Sequence, residues 1–305
     1  MADVVASVGA IAEPPKPRAR RLRGKAATLP MLLVLVVFFV APMLYLLRMS
    51  LSPDQAISAS LFGPYGLRQF ERLLTDPFFY RLFANSLASG LCTVVATLLL
   101  SYPVAFYLIG TQGWERTMIA AACLLPLSVN AVAGILGWYI LLLPFGIVQK
   151  TLLWLHLIDG PFRGLRSFWA LVGVLAYENL PFAVLILASS LQGVKREKVQ
   201  AARVLGASNL RILLTVTLPL TVPGIFAAVV LTFSLSVSSY LVPLLIGGSA
   251  VKVLPIAIFT YTTDVQDWPY AAAMSLLLLV TVLAVTYGLA AVANRLFRRG
   301  RWEPV

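Results

Sequence analysis

Apolar positions run almost unbroken through six stretches of the chain, at about 29–47, 83–109, 118–143, 167–191, 221–246 and 271–293. Each approaches or exceeds the roughly 20 residues needed to cross a hydrocarbon core about 30 Å thick, so the pattern predicts an all-α integral membrane protein with six transmembrane helices. Residues 1–28 contain Pro14, Pro15 and Pro17 and then a cluster of Arg and Lys, which reads as a disordered basic tail. The first apolar stretch is too long for a signal-peptide core and lacks a small-residue cleavage site, so it is expected to remain as an anchor and first span. Residues 294–305 form a second basic tail, leaving 29–293 as the membrane domain.

A few polar residues interrupt these stretches. Pro126, Ser128 and Asn130 in the third span, and Asn179-Leu180-Pro181 in the fourth, are expected to break their helices and free backbone carbonyls. Thr232, Ser236 and Ser239 recur along the fifth span with Tyr240 beside them, either lining a pathway or packing helices together. Glu178 is the one acidic residue within a predicted span. An ionised carboxylate facing lipid is costly, so Glu178 must face protein or water, as a counter-ion for a passing cation or as a helix-packing hydrogen bonder.

Composition narrows the class. AVILMFWYC make up 60% of the 305 residues and charged residues only 12%, with a mean hydropathy of +0.88, which excludes an ordinary soluble enzyme. The net charge of +12 in so apolar a chain points to an anionic membrane surface, and no nucleic-acid-binding motif accompanies it. Of the 24 Lys and Arg, 16 fall on the side of the two tails and 8 on the other, so the positive-inside rule places both termini in the cytoplasm. Trp114, Trp169 and Trp268 near span ends suit interfacial belts.

Catalytic and cofactor chemistry find no support. Cys92 and Cys123 lie in apolar runs, His156 is the single histidine in an amphipathic stretch, and neither CxxC nor HExxH occurs, so no metal site is expected. There is no Gly-rich phosphate loop, and the chain is expected to bind no cofactor; energy for transport must come from elsewhere.

The longest internal segment on the basic side, 193–223, reads GVKREKVQAARVLGASNLRILLTVTLPLTVP. Arg196, Gln200 and Arg203 recur at i, i+4 and i+7, while Val199, Ala202 and Leu205 form an apolar stripe, as a short amphipathic helix requires. Gly206 suits the left-handed residue after a helix end, Ser208 suits an N-cap, and Leu218-Pro219 is expected to turn the chain back into the membrane. The expectation is a helix, a glycine turn and a second helix lying across the membrane face. An interfacial lipid anchor would account for the helix alone, but not for this order of elements.

This loop resembles the signature of the inner-membrane permease subunits of bacterial ABC importers: EAA, three residues, Gly, then a spacer ending in Leu-Pro. Gln200, Ala201, Ala202, Gly206, Leu218 and Pro219 match it, extended by Ala207-Ser208 and Pro223-Gly224-Ile225, with Gln200 replacing the family's Glu. Gln keeps the carbonyl acceptor and loses the charge. Three further segments resemble the spermidine/putrescine permeases: Leu73-Leu74-Thr75-Asp76-Pro77, Leu157-Ile158-Asp159-Gly160-Pro161 and Asp267-Trp268-Pro269-Tyr270-Ala271-Ala272. The resemblance implies a MetI-like ABC permease fold whose loop 192–220 docks on an ATPase through Gln200, Ala201, Ala202, Gly206, Ser208, Leu218 and Pro219. It also implies a second permease subunit, two ATPase subunits carrying ATP and Mg, a periplasmic solute-binding protein, and a place in the bacterial inner membrane.

The implied function is passage of a small polar, cationic solute, spermidine or putrescine in type, with Glu178, Asn130, Thr232, Ser236, Ser239 and Tyr240 as candidate path residues. Related permeases for opines, aminoethylphosphonate or iron look similar. A transporter driven by ion gradients would place carboxylates or histidines in several spans, where only Glu178 is found. A noncatalytic membrane scaffold is the other alternative, separated from the first by copurification with an ATPase.

Overall fold

The computed structural model describes residues 18–53, 65–144, 146–156, 164–248 and 250–299, and among these every regular element is helical. The chain divides into residues 1–48 and 49–305. Helix α1 (Arg18–Ser50) contains an apolar segment, Pro30–Ser50, long enough to span a membrane. Residues 18–28 are helical rather than a disordered tail, since Ala, Arg, Leu and Lys are good helix formers that outweigh the charge of the run. The rest of that expected tail, the 157–161 motif and residues 300–305 of the basic C-terminal tail lie outside the described residues, while 294–299 are helical.

The second unit opens with α2 (Arg68–Thr75), then α3 (Pro77–Gly110), a span whose first turn is capped by Asp76: the Phe78 N–H donates to Asp76 Oδ1 at 2.9 Å. Helices α4 (Trp114–Ser128) and α5 (Ala131–Leu141) meet at a bend of 103° and together make one broken span. The break falls where sequence predicted it, at Asn130, whose Oδ1 accepts from the Val132 N–H at 2.9 Å and starts α5. After α6 (Ile147–Trp154), α7 (Phe168–Gln192) crosses in one piece. The expected interruption at Asn179-Leu180-Pro181 is absent. Pro181 removes the donor that would reach the Tyr177 carbonyl, yet the helix continues to Gln192; the Asn179 amide donates to the Leu175 carbonyl at 2.7 Å and to Ser236 Oγ at 3.2 Å, and buried residues flank this stretch on both sides.

The short helices α8 (Arg196–Val204) and α9 (Asn209–Ile212) follow, then α10 (Leu218–Ser238), α11 (Leu254–Thr263) and α12 (Trp268–Arg299). Four single helices of the second unit, the Pro30–Ser50 helix and the bent pair give six candidate spans. The fifth differs from expectation at both ends. It begins at Asn209 instead of 221, because residues Leu213–Thr217 widen into a π-helical turn whose longer register absorbs the donor missing at Pro219; Leu218-Pro219 therefore does not turn the chain. It ends at Ser238, where Ser239 becomes extended, so Ser239 and Tyr240 are not on the helix.

Helices α3, α7 and α10 form the centre of the bundle around Ala105, Val184, Leu187 and Ala228, none more than marginally exposed. Small residues allow this packing. Gly224 of α10 sits directly against Ser190 of α7, and Gly90 of α3 sits against Val237, leaving no room for a Cβ at either glycine. Along α3, Thr93, Thr97 and Ser101 are fully buried, and their hydroxyls find no partner among the described residues. A second apolar cluster joins α2, α3, α11 and α12 through Leu73, Phe79, Leu254, Tyr270 and Met274.

Candidate functional site

The 193–212 loop folds largely as its sequence dictates. Helix α8 closes with the Ala207 N–H donating to the Ala202 carbonyl at 3.1 Å and the Gly206 N–H donating to the Arg203 carbonyl at 2.9 Å. This paired closure needs a left-handed residue, and Gly206 supplies it with φ of +80°. Ser208 is extended, and its Oγ accepts from the Arg211 N–H at 3.4 Å, starting α9. The second arm is not a separate surface helix: through the π turn it is continuous with the fifth span.

The faces of α8 divide. Val199 and Ala202 are half-buried, whereas Leu205, expected on the same apolar stripe, is 87% exposed because the helix has ended at Val204 and the cap residue swings outward. Ala201, Val204 and Leu205 thus form an apolar tip beside Gly206. Gln200, with Arg196 and Arg203, instead borders a cavity of about 710 Å³ between the loop and the ends of α3 and α7, walled by Phe106, Ile109 and Leu213. Leu218 and Pro219 are half-buried in the first turn of α10. The exposure of Val204 and Leu205 does not follow from periodicity, since it depends on where the helix stops, whereas Arg196, Gln200 and Arg203 share a face as their spacing predicts.

The candidate path residues separate into two groups. Glu178, Asn130 and Ser239 line one cavity of about 480 Å³, together with Asn179 and Ser238. The half-buried Glu178 carboxyl makes no hydrogen bond or ion pair among the described residues. Thr232 and Ser236 do not reach this cavity; both are buried, and Ser236 is tied to Asn179, so they pack α10 against its neighbours. Tyr240 stacks on Phe259 with ring centroids 5.4 Å apart and does not line the cavity.

A third constellation joins two of the loop motifs. Arg72 of α2 meets Asp267 at the start of α12 at 2.8 Å, and its guanidinium lies 4.3 Å from the centre of the Tyr270 ring. Burial works to lower the pKa of Arg72, but the hydrogen bond and charge of Asp267 outweigh it and raise the guanidinium above its ordinary value. The Tyr270 hydroxyl lies 3.5 Å from Asp76 Oδ2, so Asp76 and Asp267, each beginning a span, are bridged by one tyrosine.

Residues 118–299 match the family described as the binding-protein-dependent transport system inner membrane component. The chain belongs to this family. It is 32% identical over 249 residues to the spermidine/putrescine transport system permease protein PotB of Escherichia coli K12, covering 81% of this chain and 90% of PotB. The corresponding protein of Haemophilus influenzae is 29% identical over 269 residues, covering 87% of this chain and 92% of the relative. In fold it matches a bacterial ABC transporter involved in the import of the acidic polysaccharide alginate, with a TM-score of 0.72 at 18% identity, over 91% of this chain and 96% of that one. An amino acid ABC transporter solved with histidines aligns at a TM-score of 0.51 and 16% identity, over 74% and 97% of the two chains. The chain is therefore an ABC importer permease subunit, a multi-pass inner-membrane transport protein with a MetI-like fold.

Proposed function

We propose that this permease carries a polyamine-type cation, spermidine or putrescine, handed over by a periplasmic binding protein and driven across by ATP hydrolysed on partner subunits. The similarity to PotB over most of both chains is what chiefly supports the solute class. The basic loops and tails lie in the cytoplasm, as the distribution of Lys and Arg favours. A second permease subunit encloses the other side of the path, and ATP and Mg belong to two ATPase subunits.

The observation carrying the mechanism is the continuity of the 193–212 loop with the fifth span. The apolar tip at Ala201, Val204 and Leu205 docks on the ATPase, and Gly206 sets the angle between its two arms. Helix Asn209–Ser238, 30 residues and on the order of 45 Å long, connects that loop to the far cavity in a single rod. When the ATPases close on ATP, movement of the loop tilts the rod and shifts Ser238 and Ser239 at the cavity wall, exchanging inward for outward access. Gln200 borders the cavity behind the loop and keeps an acceptor where the family pattern has a carboxylate.

Uptake of radiolabelled spermidine and putrescine by cells expressing the permease with its cognate partners tests the assignment. Accumulation that depends on ATP and is competed by unlabelled polyamine is expected. Uptake of a neutral or anionic solute with no polyamine transport would contradict it. Labelling of a single cysteine at position 198 from outside intact cells would contradict the orientation.

A further inference from the structure

We propose that the cavity around Glu178 is a transient binding site for an organic ammonium group, which deepens the cationic-solute assignment and rests on it. Three features converge there. The carboxyl of Glu178 projects from the middle of α7 into a cavity of about 480 Å³ and has no partner among the described residues. The last turn of α4, at Pro126 and Leu127, and the last turn of α10, at Leu235 and Ser238, form two further walls. A helix C-terminus carries partial negative charge on carbonyls that lack an intrahelical donor, and here two such ends sit beside one carboxylate. Among the described residues no backbone N–H from beyond α4 reaches its last carbonyls, and at the end of α10 only the Ser236 carbonyl gains one, from Ser239 at 3.4 Å.

The opposing charge is small. The α5 N-terminus at Asn130 and Ala131 also borders the cavity, but the Asn130 side chain and carbonyl already accept from Val132 and Gly134. No Lys, Arg or His lines the space. Tyr177 and Phe182 add aromatic side chains to the lining. Carbonyl oxygens suit the N–H donors of an alkylammonium, and a carboxylate balances its charge, whereas an anionic group would find no cationic side chain there. The bend of 103° between α4 and α5 is what places one of these carbonyl ends inside a span instead of at its surface.

The test does not require the native solute. In the assembled importer, with Cys92 and Cys123 replaced by Ala, Ser239→Cys puts a thiol in the cavity wall. Its reaction rates with an aminoethyl methanethiosulfonate, which carries a primary ammonium, and a sulfonate-bearing one are compared with Glu178 present and with Glu178→Gln. The cationic-to-anionic rate ratio should fall roughly tenfold when the carboxylate is removed, a comparison that cancels the reagents' intrinsic reactivities. An unchanged ratio would overturn the proposal, as would failure of the cationic reagent to reach the thiol. A fall in the ratio in an importer that carries no polyamine would uphold the ammonium site and overturn the polyamine assignment alone.

Discussion

Arg72 and Asp267 are 195 residues apart in the chain and meet at 2.8 Å, with Asp267 only 1% exposed and Arg72 lying over the Tyr270 ring. The pair fastens α2, which lies before the second span, to the start of the last span. Arg72→Ala leaves a buried carboxylate with weaker support and should lower stability by about 1–2 kcal/mol, a value reduced from that of a fully buried pair because Arg72 is half exposed. Arg72→Lys should recover part of the loss, since it restores charge but not the planar stacking. Thermal unfolding in detergent measures both.

Gly224 of α10 meets Ser190 of α7 with no room between them for a Cβ. A Cβ at 224 meets the root of the serine side chain, which cannot swing aside, so Gly224→Ala should cost on the order of 1–3 kcal/mol. Adding Ser190→Gly should restore most of it. A double-mutant cycle on unfolding free energy checks this, and additive losses would show that the two residues do not touch.

Asn179 and Ser236 are a structural pair. Ser236→Ala leaves the buried Asn179 amide one bond short and should reduce stability by about 1 kcal/mol, with no change in the solute concentration for half-maximal uptake. A shift in that concentration would return Ser236 to the path.

Gly206 has φ of +80° with open space where a Cβ would stand, so the demand there is on the backbone alone. Gly206→Asn should be tolerated, because Asn visits the left-handed region, whereas Gly206→Val should reduce ATPase stimulation by loaded binding protein and uptake together. Paired assays of hydrolysis and transport separate uncoupling from misfolding.

What was legible in the sequence was local. The spans are runs of apolar residues, Gly206 and Ser208 act within one turn of themselves, and Asn130 announces a helix start wherever it caps one. The fate of the prolines was not legible: Pro219 and Pro181 both remove a donor, yet one follows a π turn and the other lies in an unbroken helix packed among buried residues, and that packing depends on neighbours far away in sequence. Thr232, Ser236 and Ser239 look like one stripe by spacing, but the helix ends at Ser238 and sends only Ser239 to the Glu178 cavity. Sequence could name Asp76 and Asp267 as parts of motifs; only the fold brings both to Tyr270.

The central claim is that the tip of the 193–212 loop transmits ATPase motion to the fifth span, and cross-linking from Leu205 tests it most directly. A photoreactive residue at position 205 in the assembled importer should capture the ATPase subunit, with a yield that changes between ATP-bound and nucleotide-free states, while the same residue at the exposed Tyr287 of the last span should not. Capture of lipid alone from position 205, with the ATPase present and active, would contradict the account and make the loop a membrane anchor.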